Sequence, residues 1–307
     1  MKCTHVILGL ILSAAAVCAA PAKIGVLLKD RTPFWAAAQK GAEAAAKEAG
    51  VDLIIKAPLA PNSPAQQNAM LESLLKEPID ALIIAPLSEG LYKAQLTALA
   101  ARGVKIVTMD TNLADGLAQA YVGYNQVVMA EAAAQVFAKA AGAGPAGIIR
   151  ANTVDTQNVR EKTLLAAFKA ANPGATLYTD VFAGGERDDD LPKSNLLLEK
   201  HPDMKVVCTM FSATSLAMTK AIQAKNLVGK VQHVAFGTSL PDEVVAAIDS
   251  GAMQAWIAQQ PKMIGAKGVE AAVALVQGKS VPAQVDVPYA IVTKDNLKNP
   301  EIQAIRN

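Results

Sequence analysis

The sequence predicts an α/β protein made of two units, each a parallel sheet covered by helices. Three observations carry that reading. Short apolar runs alternate with longer stretches of helical spacing, strand then helix, along most of the chain. The runs are apolar on both faces, as strands of a sheet covered on both sides must be. The alternation breaks near 121–125 and then restarts, and 307 residues are more than one core usually serves.

Taken in order, residues 23–28 (KIGVLL) read as a buried strand, and 34–49 as an alanine-rich helix capped by Gly50. A strand at 51–55 follows. Ser63 and Pro64 mark the next helix start, an N-cap and a proline at the first position, and that helix runs to about Lys76. Then come a strand at 80–85, a helix at 89–101 ended by Gly103, and a strand at 104–109. After a short apolar run at 119–123 the second unit begins with a helix at 125–140. It continues with strand 146–150, helix 156–171, strand 176–181, helix 191–200, strand 205–209, helix 213–225, strand 231–236, helix 241–250 and strand 253–258.

One long helix from Pro261 and one strand at 287–293 remain, and neither belongs obviously to the second unit. The chain is therefore expected to pass between the units three times, near 124, 259 and 289, which makes a hinge with one main opening and closing motion. The expected division is 22–124 plus 260–288 for the first lobe and 125–258 plus 289–307 for the second. Gln259 and Gln260 fall at the C-terminal end of a strand, just before a proline-started helix. In an open α/β sheet that is where ligands bind.

The first nineteen residues read as a cleavable export signal: Lys2, a short apolar stretch at 6–17, and small residues ending at Ala19. The stretch is short for a membrane span, so an uncleaved anchor is the weaker alternative. Cys3 and Cys18 leave with the signal, so Cys208 is the one mature cysteine and no internal disulfide is possible. It sits in an apolar run, which suits a buried thiol better than a nucleophile. A net charge of +2 with no basic stripe argues against a nucleic-acid partner. The three histidines have no metal-ligand spacing, and Asp188-Asp189-Asp190 lacks the glycine and glutamate of a calcium loop, so it reads as an acidic helix start. No phosphate-cradling glycine loop follows the first strand and no nucleophile–histidine–acid set is present.

The stretch IAQQPKMIGAKGVE (257–270) resembles the matching segment of the periplasmic sugar-binding proteins of ABC importers, the ribose-binding type. So do PFW (33–35), VTMDT (107–111) and NVREK (158–162), in the same order. The resemblance runs from about Ala22 to about Lys294. It implies the periplasmic binding protein-like I fold: two Rossmann-like domains, parallel sheets and a three-segment hinge. It also implies a stacking pair at Phe34 and Trp35, a hydroxyl-chelating carboxylate at Asp110, a guanidinium at Arg160 and a hinge amide at Gln259. The chain departs from the family pattern elsewhere. Thr32 stands for an asparagine, Thr111 for an arginine, Ser212 for an asparagine and Gly237 for an aspartate, and a second-domain aromatic falls near Gly185.

A sugar needs planar polar groups and an aromatic wall. Phe34 and Trp35 suit that wall, but neighbours on a helix point about 100° apart, so one of them is open to a core role. Asp110 lies at a strand end, where it either meets ligand or caps a turn. Arg160 lies early in its helix, against the dipole, which suggests a reason beyond the helix; Asp155 is an alternative ion-pair partner. Lys29-Asp30-Arg31 reads as a solvated charge run, although Asp30 borders the same cleft, as Thr32 and Ser212 do.

The expected function is non-enzymatic. An exported protein traps a sugar or polyol between two lobes and delivers it to an ABC importer permease, as a monomer and without cofactor. A periplasmic sensing subunit for a membrane receptor or sensor kinase is the alternative.

Overall fold

A computed structural model of the chain describes residues 20–306 except 61–62, 89, 115, 152–154 and 184–186. The expected signal segment and Gly185 lie outside the described residues. No described helix is long and apolar enough to cross a membrane.

The first sheet is built from β1 (Lys23–Leu27), β2 (Asp52–Lys56), β3 (Ala81–Ile84), β4 (Lys105–Met109) and β5 (Ala120–Gly123). Its helices are α1 (Pro33–Ala49), α2 (Pro64–Leu74) and α3 (Lys93–Ala101). The chain then builds α4 (Gln126–Ala141), β6 (Ala146–Ala151), α5 (Asp155–Ala171), β7 (Leu177–Ala183), α6 (Arg187–Lys200) and β8 (Val206–Thr209). It goes on through α7 (Ser212–Ala224), β9 (Gln232–Thr238), α8 (Asp242–Asp249) and β10 (Ala255–Gln259). The last elements are α9 (Pro261–Val276), β11 (Gln284–Asp286), β12 (Tyr289–Val292) and α10 (Pro300–Gln303).

The first sheet has the order β11-β5-β4-β3-β1-β2, with every pair parallel. The second has the order β12-β10-β9-β8-β6-β7, parallel except where β12 runs antiparallel to β10. In each, the strand order reverses beside the first strand, the kind of switch point that opens a crevice at the carboxyl ends of the strands. The chain moves between the sheets after β5, after β10 and between β11 and β12.

Helix α9 follows the second sheet's β10 but packs on the first sheet's β3 and β4 and along α1. Glycine allows this. A Cβ on Gly265 would lie 1.8 Å from the Ala38 carbonyl oxygen, and one on Gly41 would lie 1.9 Å from the Lys262 carbonyl oxygen. The two helices touch backbone to backbone, closer than any side chain permits.

Several elements differ from the sequence reading. Helix α3 begins at Lys93 rather than near 89, because Tyr92 takes a left-handed conformation (φ 69°) and breaks the turn before it. Helix α6 begins at Arg187, not 191, and carries Pro192 inside it, where a proline marks a start only by habit. The last strand begins at Tyr289. Strand β11 was not anticipated: three residues, two of them exposed, carry no apolar run and owe their conformation to pairing with β5.

Candidate functional site

The carboxyl ends of β1 and β4 set one wall. Asp110 follows β4 with φ 61°, and the Thr111 N–H closes a three-residue turn onto the Met109 carbonyl at 2.6 Å. Such turns are rare and strained, and strain of this kind gathers at functional sites. Two bonds hold the turn: the Asp110 N–H donates to Val122 O (3.0 Å), and the Tyr121 hydroxyl donates to Asp110 O (2.9 Å). The carboxylate meets Lys29, which leaves β1. Lys29 Nζ lies 2.7 Å from Asp110 Oδ2 and 2.6 Å from Thr111 Oγ1. The pair is buried, at 4% and 8% exposure.

Lys29 corrects the sequence reading. A K-D-R run after a strand reads as solvated, yet Lys29 and Asp30 are both buried and only Arg31 is exposed. Asp30 accepts from the Thr32 N–H at 2.7 Å, an Asx turn that leads into α1. Thr32 is exposed. The aromatic pair divides its work. Trp35 is 5% exposed and belongs to the core, while Phe34 is half-buried and meets it edge to face at 5.0 Å. The Lys29 ammonium lies 5.8 Å from the Trp35 ring centre, within cation–π reach.

The second sheet supplies the other wall. Arg160, on the second turn of α5, is 4% exposed and donates through Nε to Gln126 Oε1 at 3.0 Å. Its guanidinium lies 5.3 Å from the Phe236 ring centre. Burial pulls its pKa below the usual guanidinium value, and the charge of Asp110 opposes that. The Asp110 charge, on the first sheet, thus acts on Arg160 of the second. The Asp155 side chain, the alternative partner, lies outside the described residues. Gln126 keeps a buried Nε2 with no acceptor among the described residues.

Gln259 is the last residue of β10, 8% exposed, paired with Thr238 of β9 and Tyr289 of β12. Ser212 opens α7, and its Oγ accepts from the Thr238 N–H at 3.1 Å. Cys208 is fully buried in β8, and burial pushes its thiol pKa far up, so it is no nucleophile. Among the described residues no cluster of His, Cys, Asp or Glu has the makings of a metal site.

The fold puts Asp110 just past β4, Arg160 in the second turn of α5 and Gln259 at the end of β10, all three buried. Phe34 is half-buried beside Trp35 and Thr32 stays at the surface. Sequence reasoning missed Lys29 and Tyr124, whose partners lie 81 and 136 residues away. One signal was available for Lys29: it is a cation one residue past a buried strand, at the edge where Asp110 also ends its own strand.

Comparison with known proteins agrees with this architecture. The chain is 28% identical over 262 residues to the ribose import binding protein RbsB of Bacillus subtilis, covering 85% of this chain and 84% of that one. It is 27% identical over 298 residues to the D-allose-binding periplasmic protein of Escherichia coli, covering 93% and 94%. In fold it is similar to a carbohydrate transporter solute-binding protein from Agrobacterium radiobacter, solved with D-arabinose, with a TM-score of 0.84 and 24% identity over 94% of this chain and all of that one. The periplasmic binding protein domain family matches residues 24–280, from β1 to just past α9 and so through both sheets and two of the three passages between them; the chain belongs to that family.

Proposed function

We propose that this protein is an exported solute-binding component of an ABC importer that encloses a sugar or polyol between its two sheets and presents it to a membrane permease. One observation carries the reading. Buried polar groups stand on both sheets: Lys29, Asp110 and Thr111 past the ends of β1 and β4, and Arg160 early in α5 and Gln259 at the end of β10. Burying such groups is costly unless something polar satisfies them. A polyol does so with neutral hydroxyls that both donate and accept, and the half-buried Phe34 offers a ring for its C–H face.

The names of the relatives support a sugar: ribose and D-allose for two of them, D-arabinose in a structural neighbour. They also support the periplasm as the working compartment, reached through a signal at 1–19. The two lobes divide at the passages between sheets, and the three connections act as a hinge. The protein works as a monomer, and a partner tells loaded from empty only through the different stabilities of open and closed forms.

The test is a thermal-shift screen with pentoses, hexoses, polyols and nucleosides, followed by solution scattering with the best hit. A sugar or polyol is expected to raise Tm and shrink the scattering radius. A screen in which nucleosides alone shift Tm contradicts the ligand class. An unchanged radius at saturation contradicts hinge closure.

A further inference from the structure

The second sheet meets the site through the ends of β9 and β10, and strand alternation sorts their side chains. In β9, Phe236 and Thr238 share one face and Gly237 takes the other. In β10, Ile257 and Gln259 share a face, with Trp256 and Ala258 opposite. The parallel register sets Phe236 beside Ile257 and Thr238 beside Gln259. Core membership agrees. Phe236 and Ile257 pack in one cluster, and Ala235, Trp256 and Ala258 in another. Arg160 lies over the Phe236 ring, so Arg160, Thr238 and Gln259 belong to the same face.

Position 237 can contribute no side chain. A Cβ there would stand 1.8 Å from Trp256 Cη2. The indole is fixed in place: it is 1% exposed, and its Nε1–H donates to Ser239 O at 2.7 Å. Thr238 is therefore the last polar side chain that β9 offers on the site's face. It is half-buried rather than sealed. Ser212 holds it twice: Ser212 Oγ accepts the Thr238 N–H (3.1 Å) and donates to Thr238 Oγ1 (3.4 Å). With that acceptor site occupied by Ser212, the hydroxyl hydrogen of Thr238 is left to donate elsewhere.

We infer that Thr238 is a specificity-determining contact, donating its hydroxyl hydrogen to a single oxygen of the bound sugar beside the amide of Gln259. The inference rests on the sugar-binding reading above. A hydroxyl donor held by Ser212 in a fixed direction selects for an oxygen at one position and one configuration on the sugar ring. Ser212 acts through Thr238, as a positioning residue.

The test is calorimetric titration of wild type, Thr238→Val and Thr238→Ser with D-ribose, D-allose and D-arabinose, then with the monodeoxy forms of whichever binds. Valine keeps the shape and the backbone N–H that Ser212 accepts, and removes only the hydroxyl. T238V is expected to bind about three- to tenfold more weakly, the worth of one hydrogen bond. It should also lose the wild-type discrimination against one monodeoxy sugar and keep it against the others. T238S is expected to behave as wild type, and it covers the case in which T238V does not fold. T238V binding like wild type, or weaker binding with discrimination intact at every position, overturns the inference and leaves the sugar reading standing. T238S losing discrimination as well also overturns it. If wild type binds none of these three, the same titrations are run with the sugar or polyol found in the screen, and wild type binding no sugar or polyol at all sinks both.

Discussion

The Tyr124 hydroxyl accepts a hydrogen bond from the backbone N–H of Gln260 at 2.6 Å. Tyr124 lies where the chain first leaves one sheet for the other, and Gln260 where it returns. The bond ties two of the three passages together. Tyr124 is 1% exposed, and burial pushes its pKa up, so it stays a neutral phenol. Tyr124→Phe removes the acceptor and strands the Gln260 N–H. A loss of about 1–3 kcal/mol is expected in urea denaturation. An unchanged midpoint means that water or another group replaces the tie.

Lys29 and Asp110 form a buried pair in which each answers the other's charge. Lys29→Met leaves a carboxylate uncompensated, at a cost of about 3–5 kcal/mol. Lys29→Met with Asp110→Asn should recover much of that loss. The double-mutant cycle from denaturation curves reads the coupling directly, and additive losses contradict the pairing.

Gly265 lies in the stretch after β10 where α9 presses on α1. Gly265→Ala puts a methyl group into the Ala38 carbonyl and forces the helices apart, at a cost of about 1–3 kcal/mol. Gly278, at φ 75° with open space around it, is the control for backbone strain without crowding. A Gly265→Ala protein with wild-type Tm shows that the helices are free to separate.

His233 is sealed in the second sheet between Thr209 Oγ1 at 2.8 Å and Thr219 Oγ1 at 3.2 Å, and burial lowers its pKa to about 3. Unfolded, it titrates near 6.5. Between those values the unfolded chain binds the extra proton. Its contribution is thus complete above about pH 6.5 and is lost as pH falls toward 3, by at most about 1.4 kcal/mol per unit. Denaturation free energy followed from pH 7 to 4 should fall less steeply in His233→Gln. Identical slopes in the two proteins contradict this.

The two sheets were legible because their strands are short apolar runs and their helices carry clear punctuation, such as Gly50, which caps α1 in the left-handed region, and Ser63 and Asn125, whose side chains cap α2 and α4. Gln259 was legible as a strand-end residue, since a proline stops the strand just after it. Lys29 was not. Local composition favours a solvated charge run, and the burial of Lys29 comes from Asp110 and Thr111 on another strand. Trp35 and Phe34 could not be told apart by spacing alone, because which of them faces the core depends on how α1 lies on the sheet. Gly237 looked like a lost polar contact. Its strand position turns it toward Trp256, on the face opposite Gln259, and leaves Thr238 as the polar side chain beside Gln259.

The central claim is that ligand is held where Asp110 of the first sheet faces Arg160 and Gln259 of the second. Calorimetric titration of the sugar or polyol found in the screen into wild type, Asp110→Ala and Gln259→Ala tests it most directly. Each variant is expected to stay folded and to bind at least about tenfold more weakly, a loss of about 1.4 kcal/mol or more. Wild-type affinity in both variants would place the ligand elsewhere and contradict the account.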